Sequence, residues 1–371
     1  MTRPARVVVD LDALRHNLAR VRRFAPGARV MAVVKADAYG HGIERTAAAL
    51  DGADAFGVAC LEEAQQVRAA AQQPVVLLEG PFTGAELECI SRSGFEIVVH
   101  HHFQVEMLER VRLARPLRVW LKVDSGMHRL GFEPGEAAAV HARLQRCKSV
   151  AAPLRLMTHL ANASNAEDDF TAVQIETFGR ACAGLEGERS IANSAGVIAW
   201  PDSRCQWVRP GLMLYGVSPL SGTRASDHEL RPVMALRSEL ISVKRLKRGD
   251  AVGYGGAWRC PQDMEVGVVA AGYADGYPRH AQSGTPVLVK DRRAGIVGIP
   301  SMDMLSVDLR NVSGAAVGDA VELWGPELPI EEVAEYAGTA PYELLCGVHK
   351  RLSYVEAPRE ICTARHAGES F

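Results

Sequence analysis

The segment Arg29-Val-Met-Ala-Val-Val-Lys-Ala-Asp-Ala-Tyr-Gly-His-Gly42 decides how the chain is read. Its five apolar residues at 30–34 are too few for a helix and suit a strand buried on both faces. Lys35 follows at once, and the glycines at 40 and 42 make the next residues a loop. At the end of a buried strand an amine is poorly hydrated, which penalises its charged form. A partly neutral lysine is a nucleophile towards carbonyl groups. Taken alone, the segment fits equally a lysine that ends a strand and reaches out to solvent.

Outward from this segment, short apolar runs alternate with amphipathic stretches. Residues 7–9 suit a short strand, and Asp10 can cap a helix in which Leu11, Leu14, Leu18, Val21 and Phe24 recur at helical spacing. Strand-like runs then fall at 30–34, 55–59, 75–78, 95–99, 117–123, 154–158, 190–192 and 206–208. Helix-like segments lie between them at 61–71, 86–91, 103–113, 135–145 and 170–185. Such alternation predicts parallel strands with helices outside them. Eight units in about 190 residues suit a closed (β/α)8 barrel of the TIM type. An open doubly wound sheet is the alternative, but the first strand lacks the Gly-x-Gly-x-x-Gly turn often seen there.

The character changes at Ser218-Pro-Leu-Ser-Gly-Thr-Arg-Ala-Ser-Asp-His228, which is polar, rich in breakers and reads as a domain boundary. Beyond it the runs at 233–243, 265–270, 286–289, 295–299, 304–309 and 320–323 are β-like, and only 330–336 and 342–348 look helical. The expected organisation is a strand in residues 1–10 packing with the C-terminal domain, a barrel over 11–228, and a mostly antiparallel β-domain over 229–371.

Hydrophobic content of 47% and charged content of 23% fit a soluble globular enzyme. A net charge of -2 gives no reason to expect nucleic acid or an anionic membrane as partner. The eight cysteines are scattered with no Cys-x-x-Cys, as in a reducing compartment. The apolar stretch at 7–9 is too short for a signal-peptide core, and the expected location is cytoplasmic. His100-His-His102 lacks the spacing of a metal site, since adjacent histidines rarely face one centre, so no metal is expected. Gly253-Tyr-Gly-Gly256 lacks the Lys-Ser/Thr of a P-loop, and its glycines suit a tight turn that carries Tyr254.

In a barrel of this kind the reactive residues stand at the carboxyl ends of the strands. After the first strand come Lys35 and Tyr39, and the fifth leads into Lys122-Val-Asp-Ser-Gly-Met-His-Arg-Leu-Gly131, which brings Arg129 to the same rim. The sixth leads into Thr158-His159-Leu-Ala-Asn162, the seventh into Asn193-Ser-Ala-Gly196, and the eighth into Arg209-Pro-Gly-Leu212. Loops after the last two strands of such barrels commonly hold phosphate, and Ser194 with the amides of Gly211 and Leu212 has the right chemistry. Each residue alone has an ordinary structural reading. Together they suit a phosphorylated aldehyde cofactor held at both ends.

These motifs make the family recognisable. Ala32-Val-Val-Lys-Ala-Asp-Ala-Tyr-Gly-His-Gly42 resembles the signature of the pyridoxal-phosphate-dependent alanine racemases. Lys122 to Gly131, Thr158-His-Leu-Ala161, Asn193-Ser-Ala195 and Arg209-Pro-Gly-Leu-Met-Leu-Tyr-Gly216 follow in that family's order. So do Val252-Gly-Tyr-Gly255, Gly272-Tyr-Ala-Asp-Gly-Tyr277 and Ser301-Met-Asp-Met304. The resemblance implies pyridoxal 5'-phosphate as cofactor and interconversion of L- and D-alanine in a head-to-tail homodimer. Lys35 would hold the cofactor covalently and act as one base, with Tyr254 of the other subunit as the second. Arg209 would face the pyridine nitrogen and Arg129 the phenolic oxygen, with Lys122 at a position often carbamylated in the family. Tyr39, Ser194, Gly211 and Leu212 would hold phosphate, and His159 would sit beside Tyr254. Arg129, Met302 and Asp303 would meet the substrate, with Tyr273 and Arg279 at the entrance.

Two positions depart from the family pattern. Lys350 stands where a tyrosine is often found, and Gly298-Ile-Pro-Ser-Met-Asp303 has Ile299 where an arginine is usual. Both fall near the implied entrance, which leaves a racemase of broader range, acting on serine or another small amino acid, as an alternative. A non-catalytic pyridoxal-phosphate carrier on the same barrel is disfavoured by the second domain and Tyr254.

Overall fold

A computed structural model describes residues 3–357. Residues 358–371, which end the expected second domain and include Cys362, lie outside that range, as do residues 1 and 2. Strand β1 (Arg6–Val9) leads into a helix at Leu11–Phe24. Asp10 caps that helix, its Oδ1 accepting from the N–H groups of Asp12 at 2.9 Å and Ala13 at 2.8 Å. Eight parallel strands then close a barrel: β2 (Arg29–Val33), β3 (Ala55–Val58), β4 (Val75–Leu77), β5 (Glu96–Val99), β6 (Leu117–Lys122), β7 (Val150–Met157), β8 (Arg189–Ser190) and β9 (Trp207–Val208). β9 pairs back onto β2, Arg29 opposite Trp207 and Val30 opposite Val208. The closed ring of parallel strands with helices between them is the expected architecture, and the open sheet is excluded.

Met31, Ala55, Val76, Val98, Trp120, Met157 and Trp207 form a separate buried cluster, one side chain from each barrel strand except β8. The amino end of the barrel is closed by charge. Glu96, almost fully buried, accepts from Trp120 Nε1 at 2.9 Å and Arg155 at 2.7 Å. Arg155 also donates to Glu188 at 3.0 Å, and its guanidinium lies 5.0 Å from the ring centres of both Trp120 and Trp207. This floor leaves the carboxyl end as the open one.

The second domain contains β10 (Met234–Leu246), β11 (Ala251–Val252), β12 (Trp258–Arg259), β13 (Met264–Val269), β14 (Pro286–Val289), β15 (Arg292–Val297), β16 (Leu305–Asp308), β17 (Ala320–Trp324) and β18 (Ser353–Glu356). Antiparallel pairings run in a ring from β10 through β13, β16, β15, β14 and β17 back to β10. β1 lies between β10, antiparallel, and β18, parallel, so both ends of the described chain join this sheet. β11 and β12 form a small hairpin with Tyr254 at its tip.

Several boundaries differ from expectation. The helix expected to reach 113 is His102–Arg110, because Val111 turns extended and only its N–H still reaches Met107 O, at 3.1 Å. The helix expected to reach 185 ends at Ala181, where Cys182 leaves helical geometry and Gly184 adopts φ +73°. β8 begins before the expected 190–192 run and ends at Ser190.

Candidate active site

Nine barrel residues singled out from the sequence line one cavity of about 650 Å³: Lys35, Tyr39, Lys122, Arg129, His159, Ser194, Arg209, Gly211 and Leu212. Five further lining residues had no motif to mark them in the sequence, Leu78, Glu79, Met157, Tyr342 and Cys346, while Asn193 lines it from the Asn-Ser-Ala motif. Tyr342 and Cys346 reach the cavity from the second domain's helix Pro341–Cys346. Among the described residues, Glu79 is the only carboxylate in the lining.

Lys35 is carried by an unusual turn. Ala36, Asp37, Ala38 and Tyr39 all have φ between +52° and +55°, a run of left-handed residues without a glycine. Each costs on the order of 1 kcal/mol against right-handed geometry, so the surroundings must enforce it. Glu63 accepts from the Ala36 N–H at 2.7 Å and the Ala59 N–H at 2.8 Å, and Asp37 accepts from the Ile43 N–H at 2.8 Å. The buried His41 donates from Nδ1 to the carbonyls of Ala38 and Tyr39, both at 2.9 Å. Its ring and that of Tyr39 stack on Tyr215 at 4.5 and 4.7 Å, and the Tyr215 hydroxyl donates to Val33 O at 2.9 Å. Burial pushes His41 down to about 4, so the ring is neutral at pH 7.

The cradle expected for phosphate is built by close approach. Asn193 caps the helix Ser194–Ala199, its side chain accepting from the Gly196 N–H at 3.0 Å. That cap aims the buried Ser194 at the turn after β9, where its Oγ accepts from the N–H groups of Gly211 at 2.9 Å and Met213 at 3.3 Å. A Cβ on Gly211 would stand 2.6 Å from the Tyr39 hydroxyl. Hydroxyls and amides thus crowd around a point that only glycine leaves open.

The rest of the cavity is cationic. Arg209 is buried and donates to Ser190 Oγ at 2.6 Å and to the carbonyls of Thr158 and Ile191. Burial pushes it down to about 10, and among the described residues it meets no carboxylate. Lys122 is pushed down to about 8, by burial first and then by Arg209, Arg129 and Lys35. Burial and the same four cations hold His159 well below the ordinary histidine value, so it is neutral at pH 7. This donor set, one amine beside fixed cations and a hydroxyl–amide cradle, fits an anionic, phosphorylated carbonyl compound.

A model of the alanine racemase N-terminal domain matches residues 9–219, and one of the alanine racemase C-terminal domain matches residues 233–356. The chain belongs to the alanine racemase family. A curated alanine racemase of Nitrosococcus oceani is 52% identical over 347 residues, covering 93% of this chain and 97% of the relative. The crystal structure of biosynthetic alanine racemase from Pseudomonas aeruginosa matches with a TM-score of 0.94 at 45% identity, over 96% of this chain and 100% of that one. Alanine racemase from Bartonella henselae, solved with covalently bound pyridoxal phosphate, matches with a TM-score of 0.86 at 28% identity, over 95% of this chain and 99% of that one.

The residues that the family pattern assigns to the second domain stand apart from this chain's own cavity. Tyr254 is 67% exposed at the tip of its hairpin, where Gly253 and Gly255 take φ +73° and +68°. Met302 is 53% exposed, Tyr273 and Arg279 lie on the surface, and Ile299 lies beside Gly253. Asp303 is engaged by Arg3 at 2.9 Å and Arg351 at 2.8 Å. Lys350 is outside the cavity, its amine 3.8 Å from Asp37 on the outer side of the left-handed turn. His100 donates to Glu79 O at 3.0 Å and His102 pairs with Glu136 at 3.2 Å, so the three histidines do not converge. Among the described residues no cluster suits a metal ion, and no helix is long and apolar enough to cross a membrane.

Proposed function

We propose that this protein interconverts L- and D-alanine, using pyridoxal 5'-phosphate held in the barrel cavity and a second base from another copy of the chain. One observation carries the reading: Lys35 opens onto a cavity of cations and a hydroxyl–amide cradle, while Tyr254 stands exposed and outside it. When bound, the cofactor supplies an electron-accepting ring that takes up the charge left as the α-proton departs.

The chain's own residues do the rest. Lys35 would anchor the cofactor through its aldehyde and, once the substrate's amine has displaced it, its freed amine would take or return the α-proton on one face. Inversion needs a second acid/base group on the opposite face, and the Tyr254 phenol supplies it. Amines and phenols have similar ordinary pKa values, about 10, so one pair can run the reaction in both directions. Tyr39, Ser194 and the amides of Gly211 and Leu212 would hold the cofactor's phosphate. Arg209 keeps its proton, so it would donate to the pyridine nitrogen and favour that nitrogen unprotonated. Arg129, without an ion pair among the described residues, is free for the phenolic oxygen and the substrate carboxylate. Lys122, as a carbamate, would hold Arg129 in place. Neutral His159 can orient the phenol without adding charge.

The exposed side chains of Tyr254, Tyr273 and Met302 support a head-to-tail homodimer in which they cover the second subunit's barrel. Lys35→Ala should lose the absorbance of the bound cofactor, whereas Tyr254→Phe should keep it and lose most racemisation. Mixing the two variants should restore about a quarter of the wild-type activity, because half of the dimers then contain one complete site. D-alanine formed from L-alanine by the purified protein, against serine and lysine as competitors, tests the reaction. No D-alanine, or faster turnover of a larger amino acid, would overturn the reading.

A further inference from the structure

Asp275 is a fully buried carboxylate with no part in the chemistry above. Its Oδ1 accepts from Arg351 Nε at 2.8 Å, and its Oδ2 accepts from Arg3 and from the Gly272 N–H, each at 2.9 Å. Both arginines fork onward to the same oxygen of Asp303, at 2.9 and 2.8 Å. Two carboxylates and two guanidinium groups therefore form a closed square. Arg3 and Arg351 enter it from opposite ends of the described chain.

The square fastens two loops into one unit. The N–H groups of Tyr273 and Ala274 donate to the carbonyls of Ser301 and Met302, both at 3.0 Å. A Cβ on Gly272 would stand 2.3 Å from Ser301 O and 2.5 Å from Met302 O, so the loops touch backbone to backbone. Tyr273 and Met302, the residues directed at the second subunit, are displayed by this unit.

The opposite side of the unit faces the chain's own site. The His349 N–H donates to Asp275 O at 3.2 Å, and a Cβ on Gly276 would stand 2.4 Å from Gly347 O. Gly347 directly follows the helix that brings Tyr342 and Cys346 to the cavity. The Leu345 carbonyl of that helix would stand 2.2 Å from a Cβ on Gly40, at the end of the Lys35 turn. Backbone contacts thus run without a gap from the Lys35 turn to Met302, with Asp275 at the junction.

We propose that Asp275 is a positioning residue that fixes the Tyr273 and Met302 loops for the second subunit's catalytic cavity while anchoring them to the wall of its own. The proposal rests on the shared-site reading above. An ion-pair square that only stabilised the fold would affect both sites of a dimer alike. A positioning role acts across the subunit boundary, in one direction.

Mixed dimers separate these two roles. A Lys35→Ala chain paired with a Tyr254→Phe chain has one complete site, made from the barrel of the second and the C-terminal domain of the first. Asp275→Asn placed in the Lys35→Ala chain should raise KM for alanine about tenfold, with kcat less affected, as expected for losing one charged hydrogen-bond partner. Placed in the Tyr254→Phe chain, the same change should leave KM within about twofold. Hydrogen exchange gives a readout independent of turnover. The Tyr273 and Ala274 amides should exchange faster in Asp275→Asn, with cofactor absorbance and protection of the Lys35 turn retained. Equal KM effects from both placements, no effect from either, or unchanged exchange would overturn the proposal. Inactivity of the mixed dimer without Asp275→Asn identifies instead a failure of the shared-site reading, and the proposal falls with it. Should Asp275→Asn not fold, Arg351→Lys, which keeps the charge but loses the fork to both carboxylates, is read in the same two placements.

Discussion

The Tyr39 hydroxyl stands 2.6 Å from the point where a Cβ on Gly211 would be. Tyr39 cannot easily yield, because its ring is stacked on Tyr215 at 4.7 Å and packed beside Tyr342 at 5.9 Å. Gly211→Ala therefore has to displace the phenol or the turn after β9. Overpacking of this kind typically costs about 1–3 kcal/mol, and here it falls on the proposed phosphate cradle rather than on the core. The expected outcome is cofactor affinity weakened at least about tenfold with a thermal midpoint near that of the wild type. Titration of the cofactor by absorbance checks it, and undiminished affinity would remove Gly211 from the cradle.

Lys122 leads to a prediction about stability. Its amine titrates near 8 in the fold against an ordinary 10.5, chiefly because it is buried and then because of Arg209, Arg129 and Lys35. Between these values the unfolded chain holds the proton more strongly, so stability rises with pH across that window. Below about 8 the full penalty of burying the charge is present. Lys122→Met should raise the urea midpoint at neutral pH and flatten the rise above pH 8, while lowering activity. The amine's low pKa also favours carbamate formation, since only the neutral form attacks carbon dioxide. Isotopically labelled bicarbonate should give a carbamate resonance that strengthens as pH rises through about 8 and is absent from Lys122→Arg.

The floor of the barrel should govern stability without touching turnover. Glu96 holds both Trp120 and Arg155, and its removal leaves the indole N–H and one arm of a buried guanidinium without an acceptor. Breaking a buried pair in this way costs about 3–5 kcal/mol, reduced here because Arg155 keeps Glu188. Glu96→Ala should therefore lower the denaturant midpoint clearly, with kcat/KM for the folded fraction unchanged. A large fall in kcat/KM would show that the floor communicates with the rim.

Most of the barrel was legible because its strands are short, apolar and separated by amphipathic helices, a pattern set by local burial. The nine rim residues were legible because a closed parallel barrel puts every strand's carboxyl end at one mouth. Glu79, Tyr342 and Cys346 were not, since no motif surrounds them and two arrive from the second domain through tertiary packing alone. The same limit hid the Glu96–Arg155 floor and the Asp275 square, whose partners lie far apart in sequence. β18 was missed because Ser353-Tyr-Val-Glu356 has no apolar run, and its pairing depends on β1 from the other end of the chain. The left-handed turn could not be foreseen, because alanine and tyrosine give no local sign of positive φ.

That turn supports the last prediction. Ala36 is exposed at φ +55° on the rim of the cavity, so changing its side chain loses little packing and acts chiefly through its backbone preference. Glycine adopts this conformation freely, whereas a β-branched residue resists it strongly. Ala36→Gly should relieve about 1 kcal/mol of strain, offset in part by the greater freedom of glycine in the unfolded chain. Ala36→Val should cost about 2 kcal/mol or more. The two variants separate strain that is merely tolerated from strain that places Lys35. If the turn aims the lysine, Ala36→Gly will match or exceed the wild-type denaturant midpoint while its kcat falls severalfold, because the residue next to Lys35 then has more conformations available. Ala36→Val will lose cofactor absorbance together with stability. His41 gives an independent check on the same turn. Its ring titrates near 4 in the fold and near 6.5 when unfolded, so the unfolded chain takes up the proton first as pH falls. The bracing of the turn is thus fully present above pH 6.5 and weakens as pH drops towards 4. In the wild type, cofactor absorbance should fade over that interval, and His41→Asn, with an amide donor that does not titrate, should retain it to lower pH. Equal acid sensitivity of the two proteins would rule out His41 as the brace.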